Sequence, residues 1–152
     1  FHRHNSEIHQ ELKNHTSSKI NFNFTPHIIP MFRGILSTIY LDLKPGTTLN
    51  KVQNILKIFH KKNKFVKIKN VNSFLSTNDV MNTNYCFISV CKTKFKDKII
   101  ILSVIDNLIK GGAGQAVQNM NLKFGFKIMR DYYEKIIITN FLSSYFLCPC
   151  SN

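Results

Sequence analysis

Apolar positions along the chain change their period several times, and each change marks an element. Ile8 and Leu12 form an i, i+4 pair behind the polar start Asn5-Ser6-Glu7. A helix is expected there, capped by Asn5 or Ser6, with Glu7 suited to its positive end. Ile20, Phe22 and Phe24 alternate, the period of a strand. Pro26 to Gly34 reads as a rigid loop, because its two prolines fix φ and turn the residues before them away from helix. Gly34 to Leu43 is the next strand, closed by a turn at Lys44-Pro45-Gly46. Helical spacing then returns with Leu49, Val52, Ile55, Leu56 and Phe59 as the inner face. Thr47 or Thr48 caps that helix, and His60-Lys61-Lys62-Asn63 places cations at its negative end. Phe65 to Lys69 is a short strand, Asn70 to Asn84 a polar loop, and Tyr85 to Thr93 with Lys98 to Ile105 a hairpin around Lys94-Phe95-Lys96-Asp97.

The stretch from Ile99 to Phe126 is the most organised. Ile99, Ile100, Ile101, Val104 and Ile105 make a buried strand, Asp106-Asn107 break it, and Gly111-Gly112-Ala113-Gly114 form a flexible loop. Ala113, Ala116, Val117, Met120 and Phe124 follow at helical spacing, with Gly125 placed to end the helix. A strand, a glycine loop and a helix N-terminus can gather unpaired N–H groups around an anion or cofactor. The same loop also serves as plain chain geometry, and its spacing is not the G-x-G-x-x-G dinucleotide fingerprint. Gln115, Gln118, Asn119 and Asn121 add several amides to the helix that follows. The element order gives an α+β fold with one mixed, mainly antiparallel sheet covered by helices on one face.

Composition narrows the partners. A chain of 152 residues can hold one domain with a core, and its net charge of +13 raises nucleic acid or an acidic membrane surface. The charge comes from 18 Lys and only 3 Arg, however, whereas Arg is the residue that reads phosphates and base edges bidentately. The lysines are scattered, so no nucleic-acid partner is expected. No apolar run suits a bilayer: Ile136 to Cys148 comes nearest and is interrupted by Thr139, Asn140, Ser143 and Ser144. No membrane partner is expected, no signal peptide opens the chain, and it begins with Phe as though inside something longer.

Cys86 and Cys91 lie at odd separation in one strand and so face opposite sides. Cys148-Pro149-Cys150 is a C-x-C without a second pair, and no metal site is expected. Free thiols in a reducing cytoplasm account for the cysteines. His2 and His4 flank Arg3 just ahead of a helix, either as a solvated polar turn or as proton-handling groups. Arg33, between Pro30 and Gly34, offers its planar fork to a carboxylate or phosphate, or forms a surface salt bridge.

The segment DNLIKGGAGQAVQNMNLKFGF resembles the C-terminal signature of the N-acetyl-γ-glutamyl-phosphate reductase family, D-N-L-x-K-G-A-x-G-Q-A-x-Q-N-x-N, with Gly112 in place of Ala. His2-Arg3-His4-Asn5-Ser6-Glu7-Ile8 is similar to the family's H-R-H-x-P-E-I, with Ser6 for Pro. FTPHIIPMFRGIL resembles F-T-P-H-L-V-P-M-x-R-G-I-L, and Thr77 to Cys86 resembles T-x-D-V-x-G-x-N-x-C with Asn82 for Gly. Cys86 in that motif is read as packing.

The resemblance covers residues 1–126 and implies the C-terminal, substrate-side domain of a glyceraldehyde-3-phosphate-dehydrogenase-like fold. Residues 106–126 would then pack toward an N-terminal dinucleotide-binding domain, and 127–152 form an unassigned tail. It implies NADP-dependent reduction of N-acetyl-γ-glutamyl phosphate to the semialdehyde in arginine biosynthesis, in a homo-oligomer. The thioester-forming cysteine lies in an upstream motif that this chain does not contain, so the chain alone is expected to be inactive. His2 inherits the acid/base role; Arg3, His4, Glu7 and Arg33 the substrate; Asn107, Lys110, Gly112 and Gly114 the cofactor. Aspartate-semialdehyde dehydrogenase shares the fold and the Cys/His chemistry and is the nearest alternative. A non-catalytic remnant or interaction domain on the same fold is the other.

Overall fold

The computed structural model describes residues 2–126. Their contacts fall into two compact units that divide between Met31 and Phe32. The C-x-C motif and the interrupted apolar run at 136–148 lie outside the described residues.

The first unit is one helix, α1 (Arg3–His15), followed by extended chain. α1 begins earlier than the expected Asn5 or Ser6 cap: the N-cap is His2, whose Nδ1 accepts the His4 N–H at 3.3 Å. The alternating Ile20, Phe22 and Phe24 form no strand. A strand needs a neighbour for its backbone groups, and here the aromatic side chains turn to α1 instead: Phe22 stacks near His9, and Phe24 lies edge-on to His2.

The second unit follows the hydrophobic pattern closely. β1 (Ile35–Asp42), α2 (Leu49–Phe59), β2 (Val66–Ile68), β3 (Cys86–Lys92), β4 (Lys98–Ile105) and α3 (Gly114–Phe124) succeed one another, and the strands order as β1-β4-β3-β2. β4 pairs antiparallel with β1 and β3, and β2 pairs parallel with β3. The sheet is therefore mixed and mainly antiparallel. The core sits at its centre, where Val90 and Val104 are wholly buried and Ile99 nearly so.

α2 is capped by Thr48, whose side chain accepts the Lys51 N–H at 3.2 Å, and packs on β2 and β3. Its inner face is turned from the expected one. Val52, Gln53 and Leu56 face inward, whereas Ile55 and Phe59 are exposed. The rotation buries Gln53, and its Nε2 donates to the Lys69 carbonyl at 2.8 Å, holding the helix to the chain just past β2. Gly125 ends α3 in the left-handed conformation, as its position implied. β1 is one of the two edge strands and is exposed along its whole length. No helix among the described residues is long and apolar enough to cross a membrane.

Candidate functional site

In the first unit the helix start gathers all four of its expected site residues. The His2 and His4 rings meet edge to face at 4.8 Å between centroids, and both lie near Phe24, at 5.6 and 6.4 Å. Because Nδ1 of His2 accepts a backbone N–H, the neutral ring carries its proton on Nε2. Arg3 and Glu7, one turn apart, stand 3.9 Å from each other with both side chains largely exposed. Two imidazoles, a guanidinium and a carboxylate are thus presented to solvent at one helix end, able to exchange protons and to bind an acid.

In the second unit the organising group is Asp106, a residue the sequence reading treated only as a strand breaker. It is 1 % exposed at the end of β4. Arg33 reaches it with Nη2 at 2.7 Å from Oδ2 and Nε at 3.1 Å from Oδ1. The backbone N–H of Asn82 donates to Oδ2 at 2.7 Å, and those of Leu108 and Ile109 to Oδ1 at 3.0 and 3.3 Å. Burial alone would raise the carboxyl, but the hydrogen bonds from Arg33 and from the Asn82 and Leu108 backbone outweigh it and hold its pKa below the ordinary value. Donors on so many sides offset the cost of keeping a buried carboxylate ionised. The sequence signal was an Asp directly after an apolar strand together with an Arg lacking any nearby acid.

This hub bears on two expectations. Arg33 offers its fork to a carboxylate, the internal Asp106, in place of a surface salt bridge, and Nη1 donates to Asn82 Oδ1 at 3.0 Å. The glycine loop, in turn, is not an array of unpaired N–H groups. Ile109–Ala113 form a turn kinked at Gly112, in which Gly111 N–H donates to the Asp106 carbonyl at 3.1 Å and Ala113 N–H to that of Leu108 at 3.2 Å. Asn82 has φ 61°, the left-handed region where Asn is the best substitute for Gly, which accounts for Asn at a motif position that suits Gly.

The four expected cofactor residues divide. Asn107 Oδ1 accepts the Gly34 N–H at 2.7 Å, while its Nδ2 has no partner among the described residues. Gly34 itself has φ +110°, and a Cβ there would meet Thr77 at 2.7 Å, so only glycine fits. Gly112 is exposed, and a Cβ on it would approach nothing nearer than the Asn107 carbonyl at 3.6 Å. Gly114 is buried, and there a Cβ would lie 2.6 Å from Ile109 Cγ2 and 2.7 Å from Asn84 Oδ1. Lys110 donates to Gln118 Oε1 at 2.8 Å, and the same oxygen accepts Asn84 Nδ2 at 3.0 Å. Burial pushes the Lys110 ammonium below its ordinary pKa, with Cys86 partly offsetting it. Asn107 Nδ2 and the exposed Gly112 are thus unengaged, whereas Lys110 and Gly114 lie in close contact with α3 and Asn84.

Cys86 and Cys91 are free and half-buried in β3, with Cys86 Sγ 3.5 Å from Ser103 Oγ and Cys91 Sγ 3.8 Å from the Ser73 carbonyl. Both pack as expected. Among the described residues no cluster of His, Cys, Asp and Glu could hold a metal ion.

Vibrio cholerae aspartate semialdehyde dehydrogenase II is similar in fold, with a TM-score of 0.50 at 20% identity over 68% of this chain and 29% of that one. The chain belongs to the family described as semialdehyde dehydrogenase, dimerisation domain, whose model matches residues 1–107. It is 45% identical over 126 residues to N-acetyl-gamma-glutamyl-phosphate reductase of Clostridium botulinum (strain Alaska E43 / Type E3), covering 83% of this chain and 37% of that protein. A probable chloroplastic reductase of the same name from Oryza sativa subsp. japonica is 44% identical over 124 residues, covering 82% of this chain and 30% of that protein. The chain thus spans about a third of the length of the curated relatives it matches.

Proposed function

We propose that this chain supplies the substrate-side portion of an NADP-dependent reductase that converts N-acetyl-γ-glutamyl phosphate to N-acetylglutamate semialdehyde in arginine biosynthesis. The observation that carries the reading is the 45% identity over 126 residues to a reductase of that name. The 20% identity to aspartate semialdehyde dehydrogenase II extends to fold alone.

In this reading a cysteine thiolate attacks the acyl carbon and displaces phosphate, dividing one difficult step into two easier ones. The resemblance puts that cysteine in an upstream motif that this chain does not contain, and Cys86 and Cys91 are packed in β3. The nicotinamide cofactor supplies hydride. His2 manages protons through Nε2; as an acid it is the imidazolium, whose protonated Nδ1 no longer accepts the His4 N–H. Taking a proton at Nε2 requires the ring to release that cap, so the helix start and the acid/base cycle are coupled. Arg3, His4 and Glu7 bind the substrate's polar ends. Asn107 Nδ2 and the bare backbone at Gly112 hold the cofactor's carboxamide, and Arg33 acts as a positioning residue through Asp106.

The N-terminal dinucleotide-binding domain is the intramolecular partner. A second copy of the chain pairs along β1, where Leu36 and Tyr40 on one face and Ile35, Ile39 and Leu41 on the other are exposed.

The test is a chimera in which residues 1–126 replace the matching segment of the Clostridium botulinum relative. Turnover of N-acetyl-γ-glutamyl phosphate with NADPH by the chimera supports the reading. A folded chimera that binds NADPH but turns over nothing contradicts it.

A further inference from the structure

Between Leu43 and Asn78 the sequence holds eight lysines and no Asp or Glu, so under a quarter of the chain carries eight of its thirteen net positive charges. The fold concentrates them. A cavity of about 480 Å³ opens between the end of α2 and the start of β2, with Lys57, Lys61, Lys64 and Lys67 around it and Phe65 and Tyr85 in its wall. That volume lies within the usual range for small-molecule sites.

Helix geometry explains only part of this charge. The C-terminus of α2 carries about half a negative charge, which Lys57 in its last turn suffices to meet. Lys61 and Lys67 remain, and neither has a carboxylate partner among the described residues. Holding like charges around a concave surface is unfavourable unless an anion completes the arrangement.

The aromatic wall narrows the class of anion. Tyr85 and Phe65 lie 5.9 Å apart between ring centroids, and Lys67 Nζ stands 5.7 Å from the Tyr85 ring. Lys110 Nζ stands 5.5 Å from the Phe65 ring. A planar ring can rest on such a surface while phosphates meet the flexible ammonium groups. A bare polyphosphate would use only the second feature. An extended nucleic-acid backbone would favour a continuous stripe over a single local hollow.

The geometry points to a nucleoside polyphosphate site in the cavity between α2 and β2, its phosphates on Lys61 and Lys67 and its base against Tyr85. The test is calorimetric titration of the full chain with ATP, tripolyphosphate and a short DNA duplex in about 0.1 M salt. ATP is expected to bind, about tenfold tighter than tripolyphosphate, and the Lys61→Gln/Lys67→Gln pair to weaken ATP by about tenfold at unchanged melting temperature. Lys61→Glu/Lys67→Glu should abolish binding. No heat of binding with ATP at about 1 mM, or equal affinity in wild type and the Gln pair, overturns the site. Equal affinity for tripolyphosphate and ATP removes the base contact and overturns the nucleoside assignment. A duplex bound more tightly than ATP and lost in the same variants overturns it in favour of nucleic-acid backbone.

Discussion

Arg33 and Asp106, 73 residues apart in sequence, meet as a buried ion pair with Nη2 2.7 Å from one carboxylate oxygen and Nε 3.1 Å from the other. The pair ties the chain before β1 to the end of β4, and through Asn82 to the loop ahead of β3. Asp106→Asn leaves the guanidinium buried without its counter-charge and is expected to destabilise the chain by about 3 kcal/mol. Urea unfolding at neutral pH measures it.

The same pair sets an acid limit on stability. The folded-state pKa of Asp106 is depressed, so its stabilisation is complete above the unfolded carboxyl value of about 3.9. It is lost as pH falls below that value and through the lower folded one. Thermal melts from pH 6 downward should show wild type losing stability in that acid window, while Asp106→Asn lacks this component of the slope.

Gly114 and Gly111 form a matched contrast. A Cβ at Gly114 lies under 3 Å from both Ile109 and Asn84, whereas one at Gly111 meets Asn107 and Ile105 only at 3.7 Å. Gly114→Ala is expected to lose about 2 kcal/mol, and Gly111→Ala to leave the melting temperature nearly unchanged. Differential scanning calorimetry of the two variants distinguishes them.

Much of the second unit was legible because its elements obey local rules. β1, α2, β3, β4 and α3 each carry a clear hydrophobic period, and Thr48 and Gly125 mark ends with known cap chemistry. What escaped was set by distance. The α2 face follows from Gln53 reaching the Lys69 carbonyl, which no helical period reveals. Ile20, Phe22 and Phe24 have a strand's spacing, but pairing is a property of the neighbour. Asp106 looked like punctuation, and only the return of Arg33 across the sheet makes it the hub of the site. His2, Arg3, His4 and Glu7 were named from a motif, and they share one helix end.

Asn107 has two ends with separable duties. Losing the Oδ1 bond to Gly34 should lower stability by about 1 kcal/mol in Asn107→Ala, a shift of a few degrees in melting. If Nδ2 serves the cofactor, the same change in the chimera raises the KM for NADPH while substrate KM stays. A melting shift with unchanged cofactor KM leaves Asn107 as a support for Gly34 alone.

Self-association along β1 gives a further check. Leu36 and Tyr40 lie on one face of the edge strand and are 47% and 74% exposed. Sedimentation should show a dimer, and Leu36→Lys with Tyr40→Lys should shift it to monomer by placing two charges in an apolar contact. A monomeric wild-type chain at about 0.1 mM would contradict pairing through this strand.

The most direct test of the account is steady-state turnover of the chimera carrying His2→Ala, beside His4→Ala. Loss of an acid/base group is expected to lower kcat by about 10²–10⁴ for His2→Ala, with a smaller loss for His4→Ala and circular dichroism showing α1 intact in both. A His2→Ala chimera that keeps its kcat, or a larger loss for His4→Ala than for His2→Ala, contradicts the assignment of this helix end to the chemistry of acyl-phosphate reduction.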